Sequence, residues 1–302
     1  MNNEQKPQVG FIGIGRMGSL MVANLLKADF PVTIYDLNPL ALEEPEKAGA
    51  TVSRSIREVV ERSAIVCSSL PGPPDVEVVY LGGDGILSAA RPGEIVIDFS
   101  SILPETARKV GVKAQEVGVE FLEAPVSGGT VGAKEATLTI MVGGKAEIME
   151  KARPVLEVIG ENIFHMGEYG NGNLAKTINN FMAASNSAAM MEGFALGMKG
   201  GLDPELLYKV INVSSGSSRS LGAIQRIMRR DFTPGFTVSL MHKDLEIVTS
   251  VANSMHHPFL LGNIVKQYYQ AGLAAGLGGS DTSSLMTLLE KFFGIEIRKP
   301  EE

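Results

Sequence analysis

Cysteine occurs once, at Cys67, in a chain of 302 residues. An intrachain disulfide is therefore impossible, and a lone thiol inside an apolar run fits a reducing compartment. Basic residues are outnumbered, 27 Lys and Arg against 34 Asp and Glu, giving a formal net charge of −7 without any basic block. That argues against nucleic-acid binding through phosphate neutralisation. No uninterrupted apolar stretch is long enough to span a bilayer, so no membrane partner is expected. Residues 1–8 are polar and include Glu4, which does not read as an export signal. No internal repeat is evident and no metal site is expected. A cytoplasmic protein is the expectation from these absences.

What the chain does contain is a large apolar fraction, 44% hydrophobic against 20% charged, in a length sufficient for two domains. In the first half, runs at 8–13, 31–36, 64–70, 94–99, 120–123, 137–142 and 162–166 read as strands. Helix-length segments separate most of them, the first at 19–28. Such alternation predicts βαβ units and a largely parallel sheet. Continuous rather than alternating apolar runs fit a sheet covered on both faces. The second half has a different texture. Residues 171–199 lack proline and are rich in Ala, Met and Asn, which predicts one long helix. Its small residues Ala183, Ala184, Ser185, Ser187, Ala188 and Ala189 would allow close helix packing. Asp203-Pro204-Glu205 is a helix start, with Asp as cap and Pro in the first turn. Further helices are expected at 219–230, 240–255, 259–274 and 282–292. The break falls near 167–172, so an α/β domain is placed at 1–168 and an all-α domain at 169–302.

The first expected strand runs directly into Gly13-Ile14-Gly15-Arg16-Met17-Gly18. A glycine triplet is weak evidence alone. Here it follows a strand, opens a helix, and precedes an acidic residue, Asp36, that ends the next strand. Gly13 allows the tight turn, Gly15 the approach of a pyrophosphate, and Gly18 close contact of helix and strand. The free N–H groups of the helix start favour an anion. The N-terminal domain therefore reads as a Rossmann-type doubly wound sheet that binds a dinucleotide. A carboxylate at Asp36 accepts hydrogen bonds from ribose hydroxyls and repels a 2′-phosphate, and no arginine adjoins it. NAD is favoured over NADP; the other reading of Asp36 is a cap for the turn that follows.

Downstream runs Gly170-Asn171-Gly172-Asn173-Leu174-Ala175-Lys176-Thr177-Ile178-Asn179-Asn180. Lys176, Asn179 and Asn180 stand at i, i+3 and i+4, on one helix face. A lysine at a helix start is ordinarily solvated. The glycines before it, the amides after it and the dinucleotide loop upstream favour a functional cation instead.

With these segments in view, the chain resembles the β-hydroxyacid dehydrogenases, the family of 3-hydroxyisobutyrate, tartronate semialdehyde and 2-(hydroxymethyl)glutarate dehydrogenases. The likeness covers nearly the whole length. It rests on Gly10 to Gly18, Asp98-Phe99-Ser100-Ser101-Ile102-Leu103-Pro104, Ala124-Pro125-Val126-Ser127-Gly128-Gly129-Thr130-Val131-Gly132-Ala133 with Gly143-Gly144, Gly170 to Asn180, and His242-Lys243-Asp244-Leu245. The resemblance implies an NAD-dependent hydride transfer with Lys176 as general acid/base. It implies that Ser127, Gly128 and Gly129 hold a substrate carboxylate, and that Asn180 with Asn179 binds the reacting hydroxyl. Leu70, Pro71, Ser101 and Lys243 would line the cofactor, and Asp244 would orient its segment. On its own, Ser127-Gly128-Gly129 is equally readable as an ordinary loop.

Two places depart from the family pattern. Asp75 stands where an asparagine near the cofactor is usual. Ser214-Ser215-Gly216-Ser217-Ser218-Arg219-Ser220 has a different spacing to Lys243, which leaves the substrate open; Arg219 there is either a clamp for a second acidic group or a solvated arginine. The implied partner is a small carboxylate substrate, and a homodimer or homotetramer is expected. An NADP-dependent imine reductase, a non-catalytic dinucleotide sensor and a phosphogluconate-oxidising enzyme are the competing readings. Lys176 with Asp36 disfavours the first, the intact lysine and Ser-Gly-Gly segments the second, and the short helical half the third.

Overall fold

The computed structural model describes residues 6–298, so part of the polar opening segment 1–8 lies outside the described residues. The chain divides into two compact units, Met1–Lys176 and Thr177–Glu302.

In the first unit the strands are β1 (Val9–Ile12), β2 (Val32–Tyr35), β3 (Thr51–Val52), β4 (Ile65–Ser68), β5 (Ile95–Asp98), β6 (Glu120–Glu123), β7 (Val126–Ser127), β8 (Leu138–Gly143) and β9 (Gly160–Gly167). The helices are α1 (Gly18–Lys27), α2 (Glu43–Lys47), α3 (Ile56–Arg62), α4 (Pro73–Leu81), α5 (Ile86–Ala89), α6 (Pro104–Glu116), α7 (Gly129–Glu135) and α8 (Ala146–Ile159). Among the described residues the strands form one sheet in the order β3-β2-β1-β4-β5-β6-β8-β7, with β9 also pairing β8. β3 to β6 in that order are parallel, β8 runs antiparallel to β6 and β7, and β9 is parallel to β8. The chain winds outward from β1 in one direction and from β4 in the other. That makes the gap between their C-terminal ends the topological switch point, where open α/β sheets bind ligands.

The sheet is covered on both faces, as continuous apolar strands require. Phe11, Ile34, Cys67, Ile97 and Leu122 pack on one side. Ile12, Val66, Val96 and Phe121 pack on the other, against Val59, Tyr80 and Val110. Two strands escaped the sequence reading, β3 and β7, because two residues carry no usable periodicity. β9 departs from the expectation of a covered strand. It lies at an edge, with Phe164 55% exposed and Met166 37% exposed.

The long helix is α9 (Asn171–Lys199), 29 residues and about 43 Å at 1.5 Å per residue. The second unit continues with α10 (Pro204–Asn212), α11 (Ala223–Met228), α12 (Val238–Ser254), α13 (Leu260–Ala274) and α14 (Met286–Phe293). Asp203 caps α10 by accepting from the Leu206 N–H at 2.8 Å. The stretch expected as a helix over 219–230 opens instead as a 3-10 turn, Arg219–Gly222, before α11. A similar turn, Thr282–Leu285, precedes α14 because Asp281 caps it through Ser283. Ala184, Met191 and Phe194 of α9 pack with Ile224, Ile227, Leu245, Val265, Tyr269 and Met286 to form this unit's core. Among the described residues no helix is long and apolar enough to cross a membrane. Phe194 is fully buried, so Phe194→Ala should cost about 3–5 kcal/mol in urea unfolding; a loss below about 1 kcal/mol would mean this core is not close-packed.

Candidate functional site

The loop after β1 shows which of its glycines serve the fold. A Cβ on Gly18 would lie 2.0 Å from the Gly13 carbonyl oxygen, and one on Gly13 would lie 2.4 Å from the Ser69 carbonyl oxygen. Gly13 also has φ +88°, a conformation side chains disfavour. These two positions are glycine because the turn is tight and the β1 and β4 loops touch. Gly15 is different: nothing lies within 4 Å of the place its Cβ would occupy. It is exposed, and its carbonyl accepts from the Ser19 N–H at 2.9 Å as α1 begins. Arg16 is exposed, Met17 half-buried and Ile14 buried beneath the loop. This open, amide-rich helix start at the switch point fits the phosphates of a dinucleotide.

Asp36 follows β2 and faces the same loop. One carboxylate oxygen accepts from the Ile14 N–H at 2.6 Å and the other from the Asn38 N–H at 2.7 Å. Each oxygen keeps a lone pair for a ribose hydroxyl. The cap of the following turn is Asn38, whose side chain accepts from the Leu40 N–H, and not Asp36.

A row of register partners crosses the C-terminal ends of the strands: Ile12, Ser68, Asp98, Glu123 and Gly143. Asp98 and Glu123 are both fully buried. Asp98 Oδ1 accepts from the Ser68 hydroxyl at 2.8 Å and the Ser100 hydroxyl at 2.5 Å. Tyr80 donates to Ser68 at 2.8 Å, and the Ser100 hydroxyl accepts from the Leu70 N–H at 2.8 Å. Asp98 thus ties the β4 loop, with Leu70 and Pro71, to the β5 loop, with Ser101. Burial pushes its carboxyl up to about 6, against the pull of the serine hydrogen bonds. Leu70 and Ser101 are half-buried and Pro71 is exposed, whereas Asp75 is exposed in the first turn of α4.

Glu123 ends β6 and reaches the start of α9. Its Oε1 accepts from the Gly172 N–H at 3.0 Å, and its Oε2 from the Asn173 N–H at 3.3 Å and the Asn173 side-chain amide at 2.6 Å. Asn173 in turn accepts from the Ile102 N–H at 2.9 Å. Burial raises the Glu123 carboxyl above its ordinary range while these donors pull it down. Lys176 follows one turn later and is only 7% exposed, unlike the solvated lysine of an ordinary helix start. Ser127 ends β7 half-buried; Gly128 and Gly129 follow at φ +135° and +62°, with open space around the Gly129 Cβ position.

In the second unit the predicted residues form a chain. Asn179 donates to Asn180 Oδ1 at 3.1 Å, Asn180 donates to Asp244 Oδ2 at 2.5 Å, and Lys243 pairs with Asp244 Oδ1 at 3.2 Å. Asn180 and Asp244 are buried, whereas Asn179 and Lys243 are half-buried. Arg219 is exposed at the start of its 3-10 turn and carries no ion pair among the described residues. The neighbouring Ser220 is anchored to α9, accepting from the Ser187 hydroxyl at 3.1 Å.

The sequence reading gave Asp98, Glu123 and Asn173 no role. A signal was present: an ionisable residue terminating a continuous apolar run has no water to face. The raised Asp98 carboxyl has a testable consequence. From about pH 4 to about pH 6 the folded protein retains a proton that the unfolded chain has released. Stability therefore falls as pH rises through that window and levels off above it. Asp98→Asn does not ionise, so its stability relative to wild type should rise by about 2 kcal/mol between pH 4 and pH 7. Glu123 is common to both proteins and cancels in the difference. Parallel stability curves would show that Asp98 titrates normally.

Two family models match the chain. The NAD binding domain of 6-phosphogluconate dehydrogenase matches residues 8–167, and the model described as NAD-binding of NADP-dependent 3-hydroxyisobutyrate dehydrogenase matches residues 170–289. The chain is 38% identical over 296 residues to 2-(hydroxymethyl)glutarate dehydrogenase of Eubacterium barkeri, covering 97% of this chain and 98% of that one. It is 39% identical to the NAD-dependent L-serine dehydrogenase of Pseudomonas aeruginosa, covering 94% and 98%. The 3-hydroxyisobutyrate dehydrogenase of Pseudomonas aeruginosa is 40% identical, with 93% and 97% covered. Among solved structures, 3-hydroxyisobutyrate dehydrogenase of Mycobacterium tuberculosis with L-serine superposes with a TM-score of 0.88 at 34% identity, covering 94% of this chain and 99% of that one. An imine reductase of Myxococcus stipitatus in complex with NAD+ shares the fold at a TM-score of 0.66 and 19% identity, covering 94% and 99%.

Proposed function

The chain belongs to the β-hydroxyacid dehydrogenase family and is an NAD-dependent hydroxyacid dehydrogenase; on that premise we propose that Lys176 is the acid/base group of its reaction and that the substrate is a small β-hydroxyacid. The observation that carries the lysine assignment is its burial on the first turns of α9, behind a glycine-rich start that is fastened to the β5 loop. The three relatives are named for acting on 2-(hydroxymethyl)glutarate, L-serine and 3-hydroxyisobutyrate. All three names describe a hydroxymethyl group on the carbon that bears the carboxylate. A primary alcohol β to a carboxylate is the substrate class that follows.

When bound, NAD supplies the acceptor for a hydride from the carbinol carbon. Gly15, Arg16, Met17 and Gly18 would hold its phosphates at the α1 start, Gly13 and Ile14 would shape that loop with their own amides bound to Tyr35 and Asp36, and Asp36 would hold its ribose hydroxyls. Leu70, Pro71 and Ser101 would line it, and Lys243 of α12 is the second unit's proposed cofactor residue. In the oxidative direction the neutral Lys176 amine accepts the hydroxyl proton as the C–H bond gives up its electron pair. Asn180, one turn along the helix, binds the same oxygen, and Asn179 steadies the Asn180 amide. Ser127 offers a hydroxyl and Gly128 and Gly129 offer N–H groups to the substrate carboxylate. The exposed apolar residues Leu206, Val210, Leu260 and Ile264 support self-association, as a homodimer or homotetramer. The single buried thiol, Cys67, suits the cytoplasm.

Lys176→Ala should lower turnover about 10²-fold or more while NADH binding, read by fluorescence, is kept. Turnover close to wild type in that variant would remove the assignment. The glycine loop gives a second test. Gly15→Ala should leave the melting temperature unchanged and weaken NADH binding about tenfold, because its Cβ enters space meant for phosphate. Gly18→Ala should lower the melting temperature itself. Equal effects of the two substitutions on stability would show that Gly15 serves only the turn.

A further inference from the structure

We propose that Glu123 and Asn173 are positioning residues for hydride and proton transfer, holding the Lys176 turn of α9 at a fixed distance from the Ser101 loop. This rests on Lys176 being the acid/base. Gly172 and Asn173 precede Lys176 by four and three residues, so they lie one turn below it on the same helix face. Both of their backbone N–H groups end on the Glu123 carboxylate, at 3.0 and 3.3 Å. A carboxylate at a helix start is favoured by the free amides and the helix dipole.

A cap alone needs less than is built here. An N-cap side chain ordinarily comes from the helix's own flanking residue. Glu123 arrives instead from a strand about fifty residues earlier, and both it and Asn173 are fully buried. Asn173 uses both ends of its amide, donating to Glu123 at 2.6 Å and accepting from the Ile102 N–H at 2.9 Å. Ile102 is the neighbour of Ser101. The surrounding backbone is shaped to admit the pair. A Cβ on Gly143 would lie 2.2 Å from Glu123 Oε1, and one on Gly172 would lie 2.4 Å from the Met141 carbonyl oxygen. The result is an unbroken path of hydrogen bonds from the loop after β5, through Asn173 and Glu123, to the turn that bears the lysine. Misplacing a reacting group by about 1 Å can cost about 10²-fold in rate, and this path is what sets the placement.

The test uses the full-length protein with whichever of 3-hydroxyisobutyrate, L-serine and 2-(hydroxymethyl)glutarate the wild type oxidises. Glu123→Gln replaces one acceptor oxygen with a donor that faces N–H groups. Its kcat should fall about 10²-fold, with KM for the hydroxyacid and Kd for NADH changed by less than about threefold. Asn173→Ala cuts the tie to Ile102 and leaves Glu123 its backbone donors, and its kcat should fall about tenfold with the same split. In both variants the effect of D2O on kcat should grow, because proton transfer to a displaced amine becomes slower. A merely structural role would lower the fraction of protein that binds NADH and leave kcat per binding site, and its D2O effect, as in wild type. That result would overturn the proposal, as would a loss confined to KM or Kd. Should Glu123→Gln not fold, Asn173→Ala decides alone. If Lys176→Ala is inactive while both variants match wild type, only the positioning role fails; if Lys176→Ala is active, the acid/base assignment fails first.

Discussion

A carboxylate removed from water must be met by donors or give up its charge, and that constraint organises the active end of this sheet. Ser68, Asp98 and Glu123 are neighbours in register on three parallel strands. Side chains at matching register point to one face, so the C-terminal edge carries a polar row just beyond the apolar row of Val66, Val96 and Phe121. Each carboxylate draws on a different loop, and Asp98 Oδ2 keeps no hydrogen-bond partner among the described residues, in line with its raised carboxyl. Asp98 gathers Ser68 and Ser100, and through Ser100 the Leu70 amide. Glu123 gathers the α9 start. The loops that would line a cofactor are therefore held by two buried acids rather than by packing alone.

This arrangement explains why some of the site was readable from sequence and some was not. The glycine loop and α9 are governed by local rules. Positive φ and crowding dictate Gly13 and Gly18, and 29 residues without proline fold as one helix. The roles of Asp98 and Glu123 depend on partners 30 to 50 positions away. No spacing pattern encodes such a pairing. β7 failed for a related reason: two residues become a strand only because β8 lies beside them. β9 failed in the opposite sense, since an apolar run says nothing about whether it lies inside the sheet or at its edge.

Adjacent asparagines illustrate the limit more finely. Spacing alone put Asn179 and Asn180 on the Lys176 face together. The structure separates them: Asn180 is buried and donates to Asp244, while Asn179 stays half-buried and donates to Asn180. Asp244 also holds Lys243, so one buried carboxylate on α12 orients both an amide of α9 and its own neighbouring cation. The proposed substrate and cofactor contacts of this unit are thus coupled through a single acid. Removing Asp244 would release two groups at once, and the effects of changing Asn180 and Lys243 should not add.

Double duty also marks Asp36, the proposed ribose contact. Asp36 would do more there than offer a negative charge to a ribose. Its two oxygens hold the Ile14 and Asn38 amides, which fixes the carboxylate relative to the glycine loop. A charge held that way would not swing clear of a 2′-phosphate, which supports the proposed preference for NAD. It also means that replacing Asp36 to admit a phosphate would free the Ile14 amide at the centre of the loop. A neutral side chain there must both remove the repulsion and restore an acceptor for Ile14. Asparagine meets both needs, whereas alanine meets only the first and leaves a backbone donor of the phosphate loop without its partner.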